Sequence, residues 1–280
     1  MDIGIGLPNM VPGASGADII EWARRSEARG FSSLGTLDRI LYQSYEPLTA
    51  LAAAAAVTER IGLLTAVLLG PLRTNTPLFA KQAQSVDALS GGRLTLGIGL
   101  GAREDDYEAS GVEYGARGRL FDELLSELTE AWKQGDVGPA GAKPQLVVGG
   151  QVDRSFERVA RFGDGWIQGS SGAEQFAELA PKVNAAWSEA GREGEPRLLA
   201  IAYYSLGENA EENARRDLGH YYEWLGEEVA EFIIGAAATD DDTVRKYIEA
   251  YREAGCDELT FFPCSSDPGQ VDLLAEAAGL

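Results

Sequence analysis

The sequence predicts a single (β/α)8 barrel, and three observations carry that prediction. Strand and helix signals alternate from one end of the chain to the other, the pattern of parallel α/β architectures. The 280 residues suit a fold that needs roughly 250. No Pro/Gly/Ser-rich stretch reads as a linker, so residues 1–280 are expected to form one domain. An open doubly wound sheet is the competing architecture.

The elements follow in order. Residues 3–7 are a short apolar strand closed by Pro8. Ser15 and Asp18 have capping-box spacing, and Ile19, Trp22, Ala23 and Ser26 give a helical stripe that ends at Gly30. A second strand covers 31–37, followed by a loop with Asp38, Arg39 and Tyr42. Pro47 suits the first turn of a helix running through the alanines to about Glu59. Residues 61–69 are apolar without alternation, as a third strand buried on both faces should be. Pro77 opens a helix that stops near Ser90-Gly91-Gly92. The fourth strand starts at Leu94 and runs into Gly97-Ile98-Gly99-Leu100-Gly101 and then an acidic loop.

Beyond it, 119–133 has a leucine face and reads as a helix, and 135–143 as a loop. Strands are expected at 145–148, 166–167, 198–204 and 259–262. Helices are expected at 153–162, 172–190, 242–254 and 270–278, with one long helix over 209–232.

Composition excludes several functions. Twenty-four basic against 44 acidic residues give a formal charge of −20, the wrong sign for nucleic acid or an anionic membrane surface. No apolar run approaches the ~20 residues that span a bilayer, and the chain enters a strand directly; a cytoplasmic protein is expected. One histidine and two cysteines make no histidine- or thiolate-rich metal site. An intervening strand would hold Cys256 and Cys264 roughly 26 Å apart, too far for a disulfide.

Several stretches are candidates for chemistry. Gly97, Gly99 and Gly101 strip side chains from a strand end, so a bulky ligand or a closely packed helix could lie against it. They lack the G-x-G-x-x-G spacing of a dinucleotide fingerprint. Gly149-Gly150-Gln151-Val152-Asp153-Arg154-Ser155 joins a strand to a helix, where backbone N–H groups and the helix dipole suit a phosphate; a plain βα turn is the alternative. Asp38-Arg39 follows a strand on the face where barrels place active sites, as an acid-base pair or a surface ion pair. Thr65-Ala66-Val67 could back a flat ring. His220 reads as a helix-surface residue, and the acidic run from Glu208 to Glu231 as a solvated face.

In combination, Ser90-Gly91-Gly92-Arg93 leading into Leu96-Gly97-Ile98-Gly99-Leu100-Gly101, then Asp105-Asp106-Tyr107, resembles the bacterial-luciferase-like family of flavin-dependent oxidoreductases. Three further blocks agree in order: Gly30-Phe31 through Asp38, Pro144 to Gly150 with Arg161-Phe162-Gly163-Asp164-Gly165-Trp166-Ile167, and the stretch from Tyr251 to Leu259. The resemblance implies a barrel holding FMN or the 5-deazaflavin coenzyme F-420 at the carboxyl ends of its strands. The ring would rest near Ala66 and Val67, where the family often has a non-proline cis peptide. The phosphate would sit at Gly149, Gly150, Gln151, Arg154 and Ser155, and the ribityl chain would run along Gly97 to Gly101, with Leu100 facing it.

There are two departures. Leu100 falls where bacterial luciferase has a phosphate-binding arginine. Asp38-Arg39 falls where many relatives carry Asp-His, so histidine-based alcohol oxidation is not expected; Asp38 is left as the candidate catalytic and cofactor-bonding residue. The implied activity is oxidation or reduction of a small organic substrate, by oxygenation with FMN or hydride transfer with the deazaflavin, in a chain that often forms a homodimer. A cofactor-free small-molecule binding protein is the alternative.

Overall fold

The computed structural model describes residues 1–280. Its strands are β1 (Asp2–Gly6), β2 (Ser33–Thr36), β3 (Gly62–Thr65), β4 (Leu68–Leu69), β5 (Leu94–Gly99), β6 (Gln145–Gly149), β7 (Gly165–Gln168), β8 (Arg197–Tyr204) and β9 (Glu258–Pro263). All pair in parallel, in the order β3-β2-β1-β9-β8-β7-β6-β5-β4, and β3 pairs back onto β5. The sheet therefore closes on itself: it is the expected (β/α)8 barrel, with β3 and β4 as two pieces of one barrel strand.

That split corrects the expectation of one strand over 61–69. Leu64 pairs with Thr95 and Leu68 with Ile98, so the chain takes four steps where β5 takes three. The surplus residue leaves the ladder as a bulge, and the Ala66–Val67 peptide inside it is cis. Apolar, β-favouring residues on both sides of the bulge give a sequence pattern no hint of it.

The helices are α1 (Gly16–Arg29), α2 (Pro47–Ala55), α3 (Thr76–Ser90), α4 (Glu104–Ala109), α5 (Arg117–Gln134), α6 (Asp153–Phe162), α7 (Ala173–Glu189), α8 (Ala210–Tyr222), α9 (Glu227–Gly235), α10 (Asp241–Glu253) and α11 (Gly269–Ala278). α1 opens with the anticipated reciprocal cap between Ser15 and Asp18. Two expectations fail. The acidic segment after β5 is a helix, α4, because three carboxylates in its first turn complement the helix dipole. The stretch 209–232 is two helices, because Gly226 at φ 88° breaks it.

One apolar layer fills the space between strands and outer helices, with Trp22, Phe79, Phe121 and Trp166 among its largest buried members. A second lies inside the barrel, where Leu64, Val147, Ile167, Leu199 and Phe262 meet Ala214 and Leu218 of α8. α8 thus lies across the carboxyl end of the barrel. The opposite end carries polar groups, where Glu258 accepts hydrogen bonds from Ser32 and Ser33 and pairs with Arg197. Cys256 and Cys264 are buried free thiols. No helix is long and apolar enough to cross a membrane.

Candidate active site

A cleft of about 370 Å³ opens at the carboxyl ends of β3, β5, β6 and β7. Ala66 and Val67 form one wall, Gly99, Leu100 and Gly101 a second, and Gly149, Gly150, Gln151 and Ser155 close one end. Ala66, Val67, Gly99, Leu100, Gly149, Gly150, Gln151 and Ser155, all singled out from the sequence, line this one space. The glycines keep it open: a Cβ at Gly99 would fall 2.8 Å from Val67 Cγ2, and one at Gly149 3.2 Å from Val67 Cγ1. Gly97 does not line the cleft. Its missing side chain instead makes room for the Thr65 carbonyl oxygen, and the Thr65 hydroxyl returns a 2.7 Å hydrogen bond to the Gly97 carbonyl.

The closed end is shaped to receive an acceptor-rich group. No side chain caps the first turn of α6; the Ser155 N–H donates to the Val152 carbonyl, which leaves the N–H groups of Asp153 and Arg154 at the positive end of the helix dipole. The Trp166 indole donates to the Gly150 carbonyl at 2.7 Å, which fixes that peptide. Gly150, at φ 143°, has no Cβ to strike the buried Ser155 hydroxyl. Gln151 donates its amide to Ser171 at 2.6 Å. Gln168, fully buried on the cleft wall, leaves its Oε1 without a partner. Leaving a buried acceptor unmade costs about 1–3 kcal/mol, so that oxygen is poised for a donor on a ligand. The expected sixth strand stopped at Ile167, one residue short, and so missed Gln168.

Arg154 and Asp38 lie elsewhere too. The Arg154 side chain is 61% exposed and pairs with Asp122 at 3.0 Å and Glu157 at 2.8 Å, on the outer face of the barrel. Asp38 is buried beside the cleft, not on its wall. Its Oδ2 accepts from the Leu69 N–H at 2.9 Å and from the Arg73 guanidinium at 2.7 Å. Both bonds hold the segment that follows the bulge.

Arg39, in the position of the missing histidine, is buried and pairs with Asp106 at 2.5 Å and Asp105 at 3.3 Å. Asp106 Oδ1 also accepts from the N–H groups of Ile40 and Leu41, so α4 clamps the loop after β2. Arg39 lies over the Tyr42 and Tyr221 rings at 5.6 and 5.7 Å and leaves Nη1 unpartnered. Above the barrel mouth, Tyr203 and Tyr222 share a 2.7 Å hydroxyl contact. Burial pushes the Tyr221 hydroxyl up to about 12. His220 is exposed on α8 and stacks beside Tyr42 at 5.5 Å.

Asp217 of α8 was hidden in the acidic run that reads as a solvated face. Its Oδ1 is buried without a partner, and burial pushes its carboxyl up to about 7. The available signal was helical period: Asp217 falls between Ala214 and Leu218, the buried positions of α8.

Comparison with known proteins agrees with the fold. A family model described as luciferase-like monooxygenase matches residues 1–260. An uncharacterised Mycobacterium tuberculosis protein is 31% identical over 176 residues, covering 57% of this chain and 62% of its own length; the chain thus spans about three fifths of that relative. An F420-dependent secondary alcohol dehydrogenase, solved with an F420-acetone adduct, superposes with a TM-score of 0.80 at 19% identity, covering 99% of this chain and 98% of that one. The oxygenating constituent of 3,6-diketocamphane monooxygenase from Pseudomonas putida, solved with FMN, gives 0.75 at 19% identity, covering 98% and 96%.

Proposed function

Because the chain belongs to the luciferase-like monooxygenase family, we propose that it is an oxidoreductase whose cleft holds a flavin-type cofactor, FMN or the deazaflavin F-420, against a small organic substrate. The observation that carries this reading is the cleft itself: a trough floored in part by Gly99, Gly101, Gly149 and Gly150 that ends at the first turn of α6, which no side chain caps. A flat ring fits a wall of backbone at Ala66, Val67 and Gly99, where no large side chain intrudes. A phosphate fits the N–H donors of α6 with the Ser155 hydroxyl and the Gln151 amide. The orphaned Oε1 of Gln168 fits a hydroxyl or ring N–H donor of the same molecule.

When bound, such a cofactor supplies the two-electron chemistry, and the protein supplies orientation and exclusion of water. The β3–β4 bulge, held by Asp38, fixes the face on which the ring rests. α8 with its tyrosines covers the opposite side of the mouth and keeps it apolar. Asp38 is assigned as the residue that positions the bulge, in place of a direct catalytic role.

The test is titration of the purified protein with FMN and with F-420 in separate experiments, each followed by fluorescence, with mass spectrometry of any ligand released on denaturation. Micromolar or tighter binding of one cofactor supports the reading and decides between the two. Binding of neither leaves a cofactor-free binding protein as the better description.

A further inference from the structure

Toward the amino end of the barrel, away from the cleft, a recess of about 390 Å³ lies between α5, the C-terminal end of α6 and the segments that enter β6 and β7. It shares no lining residue with the cleft. Leu146, near the amino end of β6, borders the recess, and Gly149, at the carboxyl end, borders the cleft. The helix α6 runs between the two, about 15 Å for its 10 residues.

The charge of the recess is the reverse of the chain's. Acidic residues outnumber basic ones 44 to 24 overall, yet Lys133, Lys143, Arg161 and Arg192 line the recess against only Glu130 and Asp164. Both carboxylates are occupied by neutral donors: Glu130 accepts from the Gln134 amide at 3.1 Å and Asp164 from the Leu146 N–H at 2.8 Å. The ion pairs of α5, α6 and β8 are made by Arg119, Arg154, Arg158 and Arg197, and none of the four cations of the recess joins one. Arg192 donates to the Ala160 and Gly163 carbonyls at 2.9 and 3.0 Å. The end of α6 that would repel an anion therefore carries a guanidinium. Trp132, Leu146 and Phe162 supply the apolar lining. Trp132 is buried, and its indole N–H is left without a partner.

We propose that this recess is a second ligand site, for a small organic dianion: a phosphate monoester or a dicarboxylate with a flat apolar body. Four unpaired cations facing two carboxylates leave an excess that two negative charges balance, through charge-assisted hydrogen bonds. The Trp132 and Phe162 rings give the body an apolar surface, and the volume lies in the range of small-molecule sites. The site stands whether or not the cleft holds a flavin-type cofactor.

The experiment is isothermal titration calorimetry at low ionic strength with phenyl phosphate and with phthalate, against benzyl alcohol as the neutral analogue. At least one dianion should bind saturably, and benzyl alcohol should not; the tighter of the two tells a phosphate ester from a dicarboxylate. Lys133 and Lys143 are exposed, so their joint replacement by alanine spares the fold. It should weaken binding at least tenfold, while Lys246→Ala, at an exposed lysine of α10, should stay within twofold. Gly150→Ala, which obstructs the phosphate end of the cleft, should also stay within twofold. Saturation by neither dianion, or unchanged affinity in the double lysine variant, overturns the inference. Loss of binding in a folded Gly150→Ala moves the anion to the cleft and overturns it too. Inorganic phosphate binding as tightly as phenyl phosphate would reduce the recess to an adventitious ion only.

Discussion

Replacing Gly97 with alanine tests how the barrel is held open around the bulge. A Cβ there would fall on the Thr65 carbonyl oxygen, 3.1 Å from its carbonyl carbon and 3.3 Å from Val147 Cγ2. The first obstacle is backbone and cannot rotate away. Thr65 is tied on two sides, by register with Thr36 of β2 and by its hydroxyl bond to the Gly97 carbonyl. Overpacking a core site costs about 1–3 kcal/mol, and a buried hydrogen bond broken by the displacement costs about 1–3 kcal/mol more. The expected loss is about 2–6 kcal/mol, a large part of a typical domain's total of about 5–15. With a urea m-value of about 3 kcal/mol/M, the unfolding midpoint should fall by about 0.7–2 M. Gly92→Ala is the reference, because Gly92 has φ 86° and no atom within 4 Å of its added Cβ; backbone conformation alone should cost it about 1–2 kcal/mol. If Gly97→Ala is no less stable than Gly92→Ala, the steric argument is wrong.

Four further outcomes are expected. Arg154→Ala should leave cofactor affinity within twofold and stability within about 0.5 kcal/mol, as befits an exposed ion pair; Gly150→Ala, which drives a Cβ into Ser155, should weaken cofactor binding at least tenfold in the same titration. Asp38→Ala should cost about 2–4 kcal/mol in urea unfolding, because Arg73 and the Leu69 N–H lose a buried carboxylate; a loss under 1 kcal/mol would contradict the positioning role. Gln168→Leu should hold or raise stability by about 1 kcal/mol, since it removes an unpaired acceptor, while weakening cofactor binding about tenfold. For Asp217, the folded pKa of about 7 lies above the ordinary aspartate value of 3.8. The folded state therefore holds the extra proton between those values, and stability declines as pH rises from about 4 to 7 and then levels off. Relative to Asp217→Asn the decline should reach about 4 kcal/mol; parallel stability curves for the two proteins would rule it out.

The barrel was legible because buried parallel strands and amphipathic helices write different periods into the chain, as Leu198 to Tyr204 and Leu120 to Ala131 do. The cleft was legible where function demands unusual backbone, at Gly99, Gly149 and Gly150. What stayed hidden depends on partners far away in sequence. Arg154 and Arg158 follow the glycine pair alike, and only the fold shows that both pair with Asp122 on α5, Arg154 exposed and Arg158 buried. The helix at 104–109 hides because its polar residues read as loop until Arg39 and Arg103 pair with Asp105 and Asp106. Asp217 lies in a run of surface carboxylates, and only the packing of α8 on the barrel separates it from them.

The four-against-three count between the bulged strand and β5 has a practical meaning for anyone redesigning this protein. The seat of the cleft is fixed by arithmetic along the chain rather than by the identity of the side chains at 66 and 67. Substitutions there should retune the surface while leaving the shelf at the same height. Removing a single residue between Leu64 and Leu68 would instead bring the two strands flush. The result would be a smoother and more regular barrel that had lost its place to set a ring.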